Sequence, residues 1–141
     1  MSALKSGLNA TSRRNMGVKA EENMLTETSV RQFADDWVRA WNSHDLDAIM
    51  SHYAPQVVLT SPVAARLLNE SGVVAGESAL RSYFARGLEA YPNLAFELVD
   101  VMWGLSSVIL YYKNQKGTKT GEFMELDTNF KVTRVVANYS Q

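Results

Sequence analysis

Leu94–Tyr139 reads LAFELVDVMWGLSSVILYYKNQKGTKTGEFMELDTNFKVTRVVANY. Long runs rich in β-branched and aromatic residues alternate here with short polar turns, and no helical period interrupts them. The pattern predicts strands over 94–103, 106–113, 120–127 and 130–139, joined at Gly104, Lys116-Gly117 and Asp127-Thr128-Asn129. Hairpin-linked strands gathered in one half of a chain point to a segregated α+β fold, because an alternating α/β fold needs a helix between parallel strands.

Upstream of Leu94 the period changes. Over 29–42, Val30, Phe33, Ala34, Trp37, Val38 and Trp41 fall at helical spacing and make one apolar stripe, with Thr28 or Ser29 as the cap. Asp45 is placed to cap a second short helix, Leu46–Tyr53, ended by Pro55. Val57–Thr60 is a short strand stopped at Pro62. Residues 63–76 read as a loop with one helical turn, and 78–89 as a third helix buried through Leu80, Tyr83, Phe84 and Leu88.

A chain of 141 residues fits one domain, and 46% apolar content with 21% charged residues is enough to build a core. The absence of cysteine excludes disulfides, thiolate metal sites and a cysteine nucleophile. The net charge of −1 hides a split: residues 1–20 carry four basic residues and no acid, while the rest holds ten basic and fifteen acidic residues. The division expected is a flexible basic tail over 1–27, in place of a targeting segment, and a folded domain over 28–141. The tail lacks the apolar core of a secretory signal, and no apolar run is long enough to span a bilayer, so a cytoplasmic protein with no membrane partner is expected. Basic and acidic residues alternate along the domain, which leaves no groove for nucleic acid. No phosphate loop, hydrolase elbow or zinc motif occurs. His44, in a turn, and His52, off the apolar face of its helix, are expected at the surface. Neither a metal nor a cofactor is expected.

Phe33–Asn42, His44–Ile49, Tyr53-Ala54, Ser61-Pro62, Gly76–Phe84 and the last strand, Val132–Tyr139, resemble the nuclear transport factor 2-like superfamily, within it the SnoaL-like polyketide cyclases and related ketosteroid isomerases. The resemblance covers about residues 29–140. It implies a cone-shaped, cystatin-like roll in which a curved, mixed or antiparallel sheet wraps three helices around an apolar pocket for a small apolar organic ligand. It also implies a homodimer through the outer sheet face, to which Val101, Trp103 and Phe123 would contribute. A fold of this kind hosts isomerases, cyclases, hydrolases and non-catalytic binders, so it does not fix chemistry.

Strand alternation places Glu122 on one face with Met124 and Leu126. The resemblance sets it where isomerases of this fold keep a protonated acid in an oxyanion hole, and a carboxyl in an apolar pocket is suited to proton transfer near neutral pH. Glu122 is therefore the candidate catalytic residue; a strand-end glutamate paired with Lys113, Lys116 or Lys119 is the structural alternative. Two other isomerase positions are replaced. Ser61 stands where a catalytic carboxylate precedes the proline, and Trp37 where a tyrosine sits on the first helix; neither serine nor indole can exchange the proton concerned. Trp37, Tyr53, Ser61, Tyr83, Tyr112, Met124, Val135 and Tyr139 are the candidate ligand-binding residues. Asp100 ranks below Glu122 as a second buried acid, sharing a face with Phe96, Leu98 and Met102 if the strand is regular. The function expected is small-molecule binding, with cyclase-, isomerase- or hydrolase-type chemistry at Glu122 or, alternatively, a non-catalytic binding or dimerisation module.

Overall fold

The computed structural model describes residues 25–68 and 71–140. Most of the basic tail, residues 1–24, lies outside the described residues. The tail boundary drawn at 27/28 falls inside the folded unit, because Leu25 is buried in the core and Thr26 caps the first helix.

That helix, α1, runs Glu27–Ser43. Thr26 Oγ1 accepts from the Ser29 amide at 3.1 Å, and Ser29 Oγ accepts from the Thr26 amide at 3.0 Å. The reciprocal pair satisfies two otherwise orphaned donors, which is why Thr26 caps the helix and Thr28 does not. His44 ends α1 in a left-handed conformation (φ 60°), its amide bonded to the Trp41 carbonyl. Asp45 then accepts from the Asp47 and Ala48 amides and starts α2, Leu46–Met50. An ion pair between Asp47 and Arg81 ties α2 to the later helix α4, Glu77–Ala90.

Tyr53 and Pro55 behave otherwise than their sequence pattern predicts. They belong to β1, Tyr53–Thr60. Pro55 falls in the irregular stretch between the paired residues Tyr53 and Val58, where its missing N–H breaks no ladder bond. The stretch read as a loop with one helical turn holds a short helix, α3, Pro62–Leu67, and an unexpected strand, β2, Val73–Ala75, which makes four helices among the described residues. Both elements are too short to show a period. Ser61 caps α3 by accepting from the Val63 amide at 3.1 Å, with Pro62 in the first turn, where its missing N–H costs nothing.

Strands β3 (Glu97–Trp103), β4 (Ser107–Lys113), β5 (Lys119–Leu126) and β6 (Val132–Tyr139) form the meander. The curved, open sheet has the order β2-β1-β6-β5-β4-β3, antiparallel except where β1 lies parallel to β6. Its inner face is built from cross-strand rows. Leu98, Tyr112, Thr120 and Tyr139 make one; Val101, Leu110, Glu122 and Ala137 the next; Val108, Met124, Val135 and Leu59 the third. Helix α1 packs against β3, and α4 against β1 and β2. Trp37, Ile49, Leu80, Leu110, Met124 and Val135 are among the fully buried side chains that join the layers.

A register shift between Leu98 and Asp100 inserts Val99 as an extra residue and reverses the alternation in β3. Asp100 consequently points outward and is exposed, so it is not a second buried acid. Val101 turns inward and is 3% exposed, so it does not serve the outer face; Trp103 has the same parity. The outer apolar row is instead Met102, Ile109, Phe123 and Val136, paired strand to strand.

Gly72 holds the turn after α3. Its φ is +72°, its carbonyl accepts from the Ser61 amide at 2.9 Å, and a Cβ placed there would lie 2.8 Å from the Ser61 carbonyl oxygen. Gly72→Ala is expected to lower unfolding stability by about 2 kcal/mol, combining left-handed strain with a backbone clash. Denaturant unfolding of the two proteins measures this; equal midpoints would refute it.

Candidate functional site

Between α1, α4 and the inner sheet face lies a cavity of ≈ 380 Å³. This is within the range of small-molecule sites. Small residues open it: Ala137 stands beside Glu122 on the sheet wall, and on α4 a Cβ at Gly87 would meet nothing within 4 Å. Aromatic rings close the helix side. Trp37 stacks on Phe96 with centroids 5.7 Å apart and planes 14° from parallel, and Trp41 meets Phe84 edge-on at 4.7 Å.

Glu122 is 6% exposed and faces this cavity. Tyr112, one strand away, donates its hydroxyl hydrogen to Glu122 Oε1 at 2.5 Å. Burial raises the Glu122 carboxyl from 4.5 to about 7, with the Tyr112 hydrogen bond opposing the shift by favouring the carboxylate. Tyr112 is pushed well above the usual phenol range, first by burial and then by the Glu122 charge, and so remains a donor. The alternative of a lysine partner fails on geometry: among the described residues no ion pair involves Glu122, and Lys113 and Lys119 pair with each other across β4 and β5.

Ser61, Tyr83 and Tyr139 also face the cavity. Burial raises both phenols, the Glu122 charge adds to this, and the Ser61 hydroxyl is close enough to each to oppose it. Trp37 is at the wall, but its Nε1 is already engaged, donating to the Tyr53 hydroxyl at 3.0 Å. Trp41 Nε1 is buried without a hydrogen-bond partner, although near enough to the Tyr53 hydroxyl to ease its ionisation.

Of the residues expected to line a pocket, Trp37, Ser61, Tyr83, Tyr112 and Tyr139 do so together with Glu122. Tyr53, Met124 and Val135 do not. Tyr53 lies behind Trp37, and Met124 pairs with Val135 one row deeper in the core. Sequence reasoning passed over Phe96, Thr120 and Arg66 at the wall. The parity that selected Glu122 also selects Thr120. Arg66 lies in the stretch that carried no period, so no sequence signal marked it.

Neither histidine is simply a surface residue. His44 is half-buried with Nε2 2.8 Å from the Leu94 carbonyl oxygen, a link from the end of α1 to the start of the meander. His52 is half-buried edge-on to Phe33, and burial lowers its pKa.

A curved six-stranded sheet packed on one face by helices defines an α+β domain. The chain belongs to the SnoaL-like domain family, whose profile matches residues 34–137. It is similar to a SnoaL-like protein of unknown function from Burkholderia thailandensis, with 32% identity and a TM-score of 0.79 over 84% of this chain and 99% of that one. More distant structures share the fold. One is SalBIII, described as an epoxide hydrolase/cyclase-like enzyme in pyran ring formation in salinomycin, with 18% identity and a TM-score of 0.64 over 82% of this chain and 93% of that one. Another is a protein of unknown function with a cystatin-like fold from Methylobium petroleophilum, with 12% identity and a TM-score of 0.67 over 84% of this chain and 80% of that one. No curated protein matches the sequence. Among the described residues no helix is long and apolar enough to cross a membrane.

The raised Glu122 pKa has a definite sign in stability. The folded protein holds this proton up to about 7, whereas the unfolded chain releases it near 4.5. Stability is therefore lost as pH rises between those values and stays low above them. A shift of that size corresponds to about 3 kcal/mol. Glu122→Gln removes the ionisation, so its stability relative to the parent is expected to rise by up to about 3 kcal/mol from acid to mildly alkaline pH. Parallel denaturant titrations across that range check it; a constant difference would contradict the assignment.

Proposed function

We propose that this domain binds a small organic molecule in the cavity and acts on it by proton transfer at Glu122. The observation that carries the reading is the Glu122 carboxyl, raised to about 7 and held by the Tyr112 hydroxyl at the wall of an aromatic cavity. A group with that pKa is present in both forms near neutral pH, which suits a general acid or base. In its neutral form Glu122 gives a proton to a carbonyl or epoxide oxygen as a bond to carbon forms or breaks. In its charged form it takes a proton from carbon or from an attacking hydroxyl. Tyr112 stabilises the charged form in either case. Reactions of cyclase, isomerase or hydrolase type need this step, and the epoxide hydrolase/cyclase-like SalBIII shares the fold.

Steroid isomerisation through a carboxylate just before Pro62 is disfavoured, because Ser61 occupies that place and its oxygen is used to cap α3. The same substitution, with Trp37 engaged by Tyr53, supports a second reading: a binding module that keeps the cavity without the chemistry. We further propose that the outer row Met102, Ile109, Phe123 and Val136 meets a second copy of the chain, because Met102 and Ile109 leave 49% and 36% of their surface exposed on one sheet face.

Native mass spectrometry of the purified protein should find a small organic molecule retained by the parent and lost in Ala137→Phe, which fills the cavity. Glu122→Gln should keep that ligand and lower turnover by about a hundredfold or more. Retention by Ala137→Phe would place binding elsewhere, and unchanged turnover in Glu122→Gln would leave the binding-module reading. Ile109→Lys should convert a dimer to a monomer in sedimentation; a parent that sediments as a monomer would refute the pairing.

A further inference from the structure

The Glu122–Tyr112 pair is not the only polar group turned to the cavity. Ser61, at the end of β1, Tyr83, on α4, and Tyr139, near the end of β6, bring three hydroxyls to its wall from three separate elements. Ser61 and Tyr83 are 3% and 7% exposed, so these groups belong to the interior. The Ser61 oxygen accepts from the Val63 amide, which leaves its own hydrogen free to point elsewhere. Both phenols hold their protons tightly, because burial opposes the charged form. Arg66, one helical turn beyond Ser61 on α3, lines the same cavity, and its charge acts on both phenols. Among the described residues Arg66 makes no ion pair, and Glu122 is the only carboxylate on the wall.

Three hydroxyls and one guanidinium line this part of the wall, and the Glu122 carboxyl, whose charge also reaches both phenols, is kept largely neutral below neutral pH by its burial. That combination matches an anionic oxygen, which accepts several short charge-assisted hydrogen bonds. Arg66 supplies the positive charge beside these hydroxyls, Lys116 on the same wall lies over the Tyr91 ring at 6.0 Å, and the flat rings of Trp37, Phe96 and Tyr112 suit a planar body. We propose that Ser61, Tyr83, Tyr139 and Arg66 form a subsite for the carboxylate of the ligand, so that the molecule taken up is a planar organic acid with its charged end toward Arg66. The inference rests on the cavity being a small-molecule site and does not require Glu122 to be catalytic.

Calorimetric titration of the full chain with benzoate, cinnamate and naphthoate, each beside its methyl ester, tests this directly. The ester keeps shape and apolar surface and removes the charge. At least one acid should bind about fivefold or more tighter than its ester, since Arg66 stays partly in water and its contribution is screened. Arg66→Gln should reduce that preference to less than about twofold, chiefly by weakening acid binding. Tyr83→Phe and Tyr139→Phe should each weaken acid binding several-fold and ester binding by less, because a neutral ester carbonyl accepts a weaker hydrogen bond than a carboxylate. Equal binding of acids and esters by the parent would overturn the subsite and leave the cavity reading intact, as would a preference that survives Arg66→Gln. Failure of every acid and every ester to bind would overturn both.

Discussion

Six strands present more inner surface than the helices cover. Helix α1 packs on β3 at one side of the sheet, and α4 packs on β1 and β2 at the other. The middle strands are left to face a gap, and the inner residues there are small or polar: Ala137, Thr120 and Glu122. A gap of this kind is costly if empty, because its lining loses packing partners. Leu110, Met124 and Val135 close the deeper rows completely, so the space is confined to one end of the cone. Everything proposed for the domain follows from that uneven coverage.

Within the gap the polar groups are divided. Glu122 and Tyr112 form a coupled pair on neighbouring strands, while Ser61, Tyr83, Tyr139 and Arg66 gather from other elements. The first group holds a carboxyl raised to about 7, and the second offers hydroxyls and a positive charge. Ser61 caps a helix, and Trp37 donates to the Tyr53 hydroxyl.

How much of this was legible in the sequence depended on local period. The stripe of α1 and the alternation of β5 were strong enough to place Trp37 and Glu122 on the correct faces. Strand ends in the meander were recovered to within a few residues for the same reason. Period failed where elements were short, so α3 showed only as one helical turn, β2 was read as loop, and Arg66 went unmarked. It also failed where a register shift broke it, at Val99, and with it went the placement of Asp100 and Val101. Pro55 misled because proline was read as a helix stop, whereas the chain uses it in an unpaired stretch of strand. The partners that define the site, such as Tyr112 with Glu122, come from pairing between strands, which no single stretch of sequence reveals.

The extra residue at Val99 has an effect beyond parity. Among the described residues β3 stands at one end of the strand order and β2, only three residues long, at the other. An open edge of regular strand invites another chain to add itself, and a bulge or a very short strand withholds the continuous ladder this needs. With one edge bulged and the other truncated, the sheet resists runaway strand addition.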